Sequence, residues 1–287
     1  MAGEVDGRMV LAVDGSASAL GAARWGALTA RLRALPVTIV TAVELPVPRT
    51  GSASLSAEAM ALLRSRGERA LDAALSQVRE ILGPDHPVDR GLWEGPPIPQ
   101  LLAHSDRAAM LVLGVRGLGD APESIAGSVA TAVAAHARCP VAVIRGWSGT
   151  ETELGTGPVV VGVDGSQACT PAVRLAMAEG AARGVDVRAI HAGSDVPLTG
   201  DDDPTADGAR TLLDRALDPW CAEHPEVTVH REVVRDRPVR HLTQAAQDAQ
   251  LLVVGNRGRG GFDGMMAGST SRALLHTAPC PLVIAHG

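Results

Sequence analysis

The chain contains no lysine: all 26 of its basic residues are arginine. That excludes a Walker-type phosphate loop, whose Lys reaches the β- and γ-phosphates. It also excludes Schiff-base chemistry on a Lys amine. A phosphate site in this sequence must rely on backbone N–H groups, hydroxyls and Arg. Aromatic residues are nearly missing as well, with one Phe, four Trp and no Tyr in 287 residues. The cores must therefore be built from Val, Leu, Ile and Ala. Cysteine is limited to Cys139, Cys169, Cys221 and Cys280, with no C-x-x-C pair and no His cluster at zinc spacing. These thiols read as structural and buried, and no metal site is expected. Met1 to Arg8 carries Glu4 and Asp6 and no apolar core, so no signal peptide is read. No apolar run approaches the length of about 18 residues that a membrane span needs. A cytoplasmic, reducing setting is expected. The net charge of −6 argues against nucleic acid as the main partner.

What is present is a repeat. Met9-Val10-Leu11-Ala12-Val13-Asp14-Gly15-Ser16 returns as Val159-Val160-Val161-Gly162-Val163-Asp164-Gly165-Ser166, 150 residues later. Gly114-Val115-Arg116-Gly117, nine residues and Gly127-Ser128 return 141 residues later as Gly255-Asn256-Arg257-Gly258, nine residues and Gly268-Ser269. Cys139-Pro140 and Cys280-Pro281 each precede an apolar strand. Two domains are read, over residues 1–147 and 157–287, with Gly146 to Pro158 as the linker.

Within each copy, strand and helix patterns alternate. In the first copy the pattern predicts strands at Met9–Val13, Val37–Val43, Val88–Trp93, Met110–Leu113 and Val141–Ile144. It predicts helices from a Ser18 cap to about Leu35, over Ser56–Leu82, Ile98–Ser105 and Ser128–Ala137. In the second copy, Thr170-Pro171 reads as a cap and first-turn Pro. Uniformly apolar strands alternating with helices imply an α/β fold with a parallel sheet covered on both faces. Five strands fit a doubly wound order of 3-2-1-4-5, in which ligands bind at the switch between strands 1 and 4. Both repeated motifs fall at that switch.

The glycines are expected to turn with positive φ and let a ligand approach the backbone. Successive N–H groups then form an anion-binding concavity, and the helix beginning at Gly127-Ser128 or Gly268-Ser269 adds its free amides and dipole. The serines read either as phosphate ligands or as plain N-caps. Asp14 and Asp164 would repel phosphate unless Mg²⁺ intervenes or they contact base or ribose; otherwise they are turn residues. Ala12 and Gly162 are small enough either to admit a flat ring or to pack a helix closely. Arg116 and Arg257 read as phosphate contacts or as surface charge. His191 stands near the expected base site.

At these residues the sequence resembles the universal stress protein family, in its tandem two-domain form. Both copies satisfy the family's frame of Gly, two residues, Gly, nine residues, Gly and Ser or Thr. The resemblance covers about residues 8–145 and 157–286. It implies flavodoxin-like domains, similar to the adenine nucleotide α-hydrolases, that bind ATP. Main-chain contacts to adenine would come from Ala42 and Ala192, with Asp14 and Asp164 beside the base. The loops Gly114–Asp120 and Gly255–Gly261, including Arg259 and Gly260, would hold ribose and phosphates. Ser128-Val129 and Ser269-Thr270 would meet the triphosphate. The resemblance also implies an intrachain pseudo-dimer and a homodimer of whole chains. Where the second copy has Arg259-Gly260-Gly261-Phe262, the first has Leu118-Gly119-Asp120-Ala121, and Asp120 and Glu123 add negative charge. Weaker binding is therefore expected in the first copy.

Three functional readings follow. The first is an ATP-binding regulatory protein of the stress response that cleaves nothing. The second is a slow ATPase on the same fold, with Asp120, Glu123 or Asp263 as the loop carboxylates available. The third is an interaction module without nucleotide, against which the intact glycine frames argue.

Overall fold

A computed structural model describes residues 6–44, 57–115, 126–145, 147, 154–193, 204–258 and 268–287, without the side chains of 204–206. The first repeat runs β1 (Met9–Ala12), α1 (Ala17–Leu32), β2 (Val37–Val43), α2 (Ala57–Leu82), β3 (Val88–Glu94), α3 (Pro97–His104), β4 (Met110–Gly114), α4 (Ser128–His136) and β5 (Val141–Ile144). The second runs β6 (Val159–Gly162), a 3₁₀ turn (Gln167–Cys169), α5 (Thr170–Arg183), β7 (Val187–Gly193), α6 (Pro204–Glu223), β8 (Val229–Arg235), α7 (Pro238–Ala245), β9 (Leu251–Gly255), α8 (Ser269–Thr277) and β10 (Leu282–Ala285).

All ten strands share one sheet, in the order β3-β2-β1-β4-β5-β10-β9-β6-β7-β8. Each repeat thus has the 3-2-1-4-5 order of a flavodoxin-like domain, parallel throughout, with Met9 level with both Val37 and Met110. β5 and β10 pair antiparallel, Val143 with Leu282 and Val141 with Ile284. Valine, leucine and isoleucine fill both faces of the strands because helices cover both. Each such side chain, fully buried, contributes about 1.5–3 kcal/mol. Among the described residues, no helix is long and apolar enough to cross a membrane.

The predicted α1 boundary shifts. Its N-cap is Ser16, not Ser18: Ser16 is extended (ψ 153°) and its hydroxyl accepts from the Ala19 amide at 3.1 Å. Ser18 already lies inside the first turn. In the second repeat Cys169, not Thr170, is the cap, and Thr170 is the first helical residue. The reason is local: the Ser166 hydroxyl donates to Asp164 Oδ1 at 2.7 Å, and the 3₁₀ turn occupies the space of a cap. Helix ends also match. Gly184 closes α5 in the left-handed region (φ 64°), with Val185 N donating to Gly180 O. Ala34 takes the same position after α1 (φ 50°), with Leu35 N donating to Ala30 O. Glycine accepts that conformation freely and alanine does not.

The face shared by α1 and α5 carries a buried polar cluster. Glu179 and Arg183 each have 1% side-chain exposure and pair at 2.8 Å. Arg183 also donates to Gln250 Oε1 at 2.9 Å and Thr29 Oγ1 at 3.3 Å, and its guanidinium lies 5.5 Å from the centre of the Trp25 ring. Arg33 reaches Glu179 Oε1 at 3.3 Å. Positions 29 and 33 of the first repeat correspond to 179 and 183 of the second, each 150 residues on. One set of positions therefore meets its own repeat-mate across the junction. The strand ends match similarly: Arg145 Nη2 donates to Leu275 O at 3.2 Å, and His286 Nε2 donates to Ala134 O at 3.1 Å. These too are equivalent positions, 141 residues apart.

Candidate functional site

The Asp-Gly-Ser turn follows β1 and β6, and the glycine frame follows β4 and β9. Since β1 lies beside β4 and β6 beside β9, the two motifs meet at the carboxyl edge of the sheet. The turn is where positive φ occurs: Gly15 at 88° and Gly165 at 73°. The Asp side chains close it. Asp14 Oδ1 accepts from Ser16 N at 2.9 Å, and Asp164 Oδ1 accepts from Ser166 N at 2.9 Å. The turn-residue reading of both Asp residues therefore holds for one carboxylate oxygen.

Asp164 has a second neighbour. A Cβ placed on Gly258 would lie 2.7 Å from its Oδ2. The second frame thus lies close to the turn after β6, and a side chain at position 258 would crowd the Asp164 carboxylate.

The frame glycines do not act as expected. Gly114, Gly255 and Gly258 do not have positive φ. Gly114 is required because a Cβ would strike the backbone of Ser18 and Ala19 at 2.7–2.8 Å; at Gly255 it would come within 3.0 Å of Ala168 O. Gly114 lets the end of β4 touch the start of α1, and Gly255 lets the end of β9 touch the 3₁₀ turn before α5, so their constraint is packing. Gly162 follows the packing alternative too, since a Cβ there would meet Leu242 at 3.1 Å. Ala12, Ala42 and Ala192 are all partly exposed on the strands where the sequence places them.

The frame's far end lies at helix entrances. Gly127 and Gly268 are the N-caps of α4 and α8, extended (ψ 158° and 149°) and without any side-chain cap. Ser128 and Ser269 are the first helical residues, so the N-cap reading of these serines is overturned. With glycine at the cap, the first-turn amides, including those of Ser128-Val129 and Ser269-Thr270, have no side-chain acceptor from it. The returning backbone is pinned the same way in each repeat: Gly127 N donates to Val115 O at 2.7 Å, and Gly268 N to Asn256 O at 2.8 Å. Arg257 is exposed at the frame, and Asn256 Oδ1 is buried with no hydrogen-bond partner among the described residues. Arg116, Gly117, Asp120, Glu123, Arg259, Gly260, Gly261 and Asp263 lie outside the described residues.

The remaining candidates are structural. His191 is buried and donates from Nδ1 to Val163 O at 2.7 Å. Burial pushes the Cys139 and Cys280 thiols up to about 12, and burial followed by the Asp164 charge raises Cys169. No cluster of His, Cys, Asp or Glu among the described residues could hold a metal. His286 is held below its ordinary value of 6.5, chiefly by burial, and the Arg257 guanidinium acts in the same direction.

Sequence reasoning missed two features here. A hollow of about 590 Å³ flanks the Gly165-Ser166 turn, lined also by Thr170, Thr211, Leu212 and Arg215. The other is His276 on α8, whose Nδ1 accepts from the Ala126 amide of the first repeat at 3.1 Å. No repeat comparison could have found it, because the equivalent first-repeat position is Ala135.

The sequence model of the universal stress protein family matches twice, at residues 7–145 and 156–286. The chain is 36% identical over 292 residues to the universal stress protein Rv2623 of Mycobacterium tuberculosis, covering 96% of this chain and 95% of that one. It is 36% identical over 291 residues to Rv2005c of the same organism, covering 96% of each. A crystal structure of a universal stress protein from Archaeoglobus fulgidus superposes with a TM-score of 0.71 at 19% identity, covering 97% of this chain and 98% of that one. With the family model matched over both repeats and relatives this similar along nearly their whole length, the chain belongs to the universal stress protein family.

Proposed function

We propose that each repeat binds ATP at the carboxyl edge between its first and fourth strands, and that the protein acts as a nucleotide-dependent regulator. The observation that carries this reading is the nearness of Gly258 to the Asp164 carboxylate, whose Oδ2 would lie 2.7 Å from a Cβ at position 258, so that both motifs come together at the switch between β6 and β9. The donor set suits an adenine nucleotide. The uncapped first-turn amides of α4 and α8, the hydroxyls of Ser128, Ser269 and Thr270, and Arg257 are donors suited to phosphate oxygens. Ala42 and Ala192, partly exposed on their strands, offer main-chain groups to the base. Asp14 and Asp164 would contact base or ribose, or Mg²⁺ if it travels with the phosphates.

In this reading the chain's residues bind and orient the nucleotide; none is assigned a role in bond cleavage. Occupancy would bias the α4 and α8 entrances, which lie on either side of the β5–β10 seam, within an intrachain pseudo-dimer that itself pairs as a homodimer. The test is to denature purified protein and identify what is released. An adenine nucleotide is expected. An empty protein that also takes up no added ATP overturns the proposal.

A further inference from the structure

Three cross-repeat hydrogen bonds converge on α4 and α8. Two are a matched pair, Arg145 to Leu275 O and His286 to Ala134 O. The third, Ala126 N to His276 Nδ1 at 3.1 Å, lacks a counterpart side chain because Ala135 occupies the equivalent position. It also differs in where it acts. Ala126 directly precedes Gly127, the N-cap of α4, and is 5% exposed. Two successive amides of this entrance are therefore held by different repeats: Gly127 N by Val115 O of the first, Ala126 N by His276 of the second. An amide N–H can only donate, so Nδ1 is the unprotonated ring nitrogen here.

We infer that His276 of the second repeat is a positioning residue for the ligand site of the first, fixing the Ala126–Gly127 backbone so that the amides of Ser128 and Val129 face the ligand. This rests on the nucleotide reading above. The first site is then complete only with the second repeat in place, and the dependence runs one way, since Ala135, at the equivalent first-repeat position, carries no acceptor.

The experiment uses the full chain and two variants. His276→Ala removes the acceptor; His276→Asn keeps one near the place of Nδ1. Hydrogen exchange of the Ala126 amide is followed without ligand, and photolabelling by 8-azido-ATP is mapped to each repeat by peptide mass spectrometry. Loss of one neutral hydrogen bond corresponds to about a fivefold change in an equilibrium. His276→Ala should speed Ala126 exchange and raise the azido-ATP concentration needed to label the first repeat, each about fivefold. Labelling of the second repeat should be unchanged, and His276→Asn should restore both properties. A first-repeat label insensitive to His276→Ala, or one lost equally from both repeats, overturns this inference alone. Unchanged Ala126 exchange does the same. Absence of label from wild-type protein overturns the nucleotide reading and this inference together.

Discussion

The buried cluster between α1 and α5 yields the sharpest stability prediction. Glu179 is the only carboxylate that the described contacts show within it, and it faces two guanidiniums. Arg183 Nε and Nη2 both reach its Oε2, at 2.9 and 2.8 Å, and Arg33 reaches Oε1 at 3.3 Å. Replacing it by leucine keeps the volume and removes the charge. Arg33, with 27% side-chain exposure, can turn toward water. Arg183, with 1%, is held by Gln250, Thr29 and the Trp25 face, and remains as a buried cation. Removing one partner of such a pair costs about 3–5 kcal/mol. Replacing both partners by apolar groups is often close to neutral, because each desolvation cost disappears with its charge. Glu179→Leu should therefore destabilise by about 3–5 kcal/mol, and adding Arg183→Met should recover most of that loss. Urea denaturation at neutral pH reports both values, with Trp25 as a fluorescence probe inside the cluster. A Glu179→Leu cost below about 1 kcal/mol, the range of exposed pairs, or a double variant no more stable than the single one, would show that Arg183 is not left as an uncompensated buried charge.

Gly258→Ala places a methyl against Asp164 Oδ2, a side-chain atom, rather than into backbone. It should lower ATP affinity in the second repeat and leave the melting temperature nearly unchanged, whereas Gly114→Ala should lower the melting temperature because its Cβ strikes backbone. His286 has a depressed value in the folded state, so the unfolded chain binds the extra proton. Its contribution is present above pH 6.5 and is lost as pH falls through that value toward the folded one. His286→Gln, which keeps a donor to Ala134 O, should flatten the fall in melting temperature below pH 6.5; an unchanged slope would contradict the assignment. Ala34 sits at φ 50° where the second repeat has Gly184. Ala34→Gly should stabilise by about 0.5–1 kcal/mol in denaturant titration, the relief of left-handed strain less the entropy of glycine.

The strand order was legible because alternating apolar runs and helices leave few parallel arrangements, and the repeat displayed the pattern twice. The placement of both motifs at the β1–β4 and β6–β9 switch points followed from that order. The roles of individual residues were less legible. Gly114 and Gly255 read as ligand-approach glycines, yet a Cβ on Gly114 would meet the Ser18 hydroxyl and backbone, and one on Gly255 the backbone of Ala168. Sequence spacing locates a small residue but does not say what occupies the space it leaves. Ser16 and Ser18 are equally good caps by composition, and only the extended backbone at Ser16 decides between them. The Glu179–Arg183 cluster and His276 were invisible for another reason. They join residues 146–154 positions apart, or 150 for His276 and Ala126, and depend on how one repeat faces the other. Repeat comparison aligns the copies but does not show their interface.

The decisive property of the carboxyl edge is whether it holds an adenine nucleotide. Calorimetric titration of nucleotide-stripped protein with ATP tests this most directly. Saturable binding is predicted, weakened in the second repeat by Gly258→Ala without loss of fold. Absence of measurable heat and of any ATP-dependent rise in melting temperature, in protein whose unfolding remains cooperative, would contradict it.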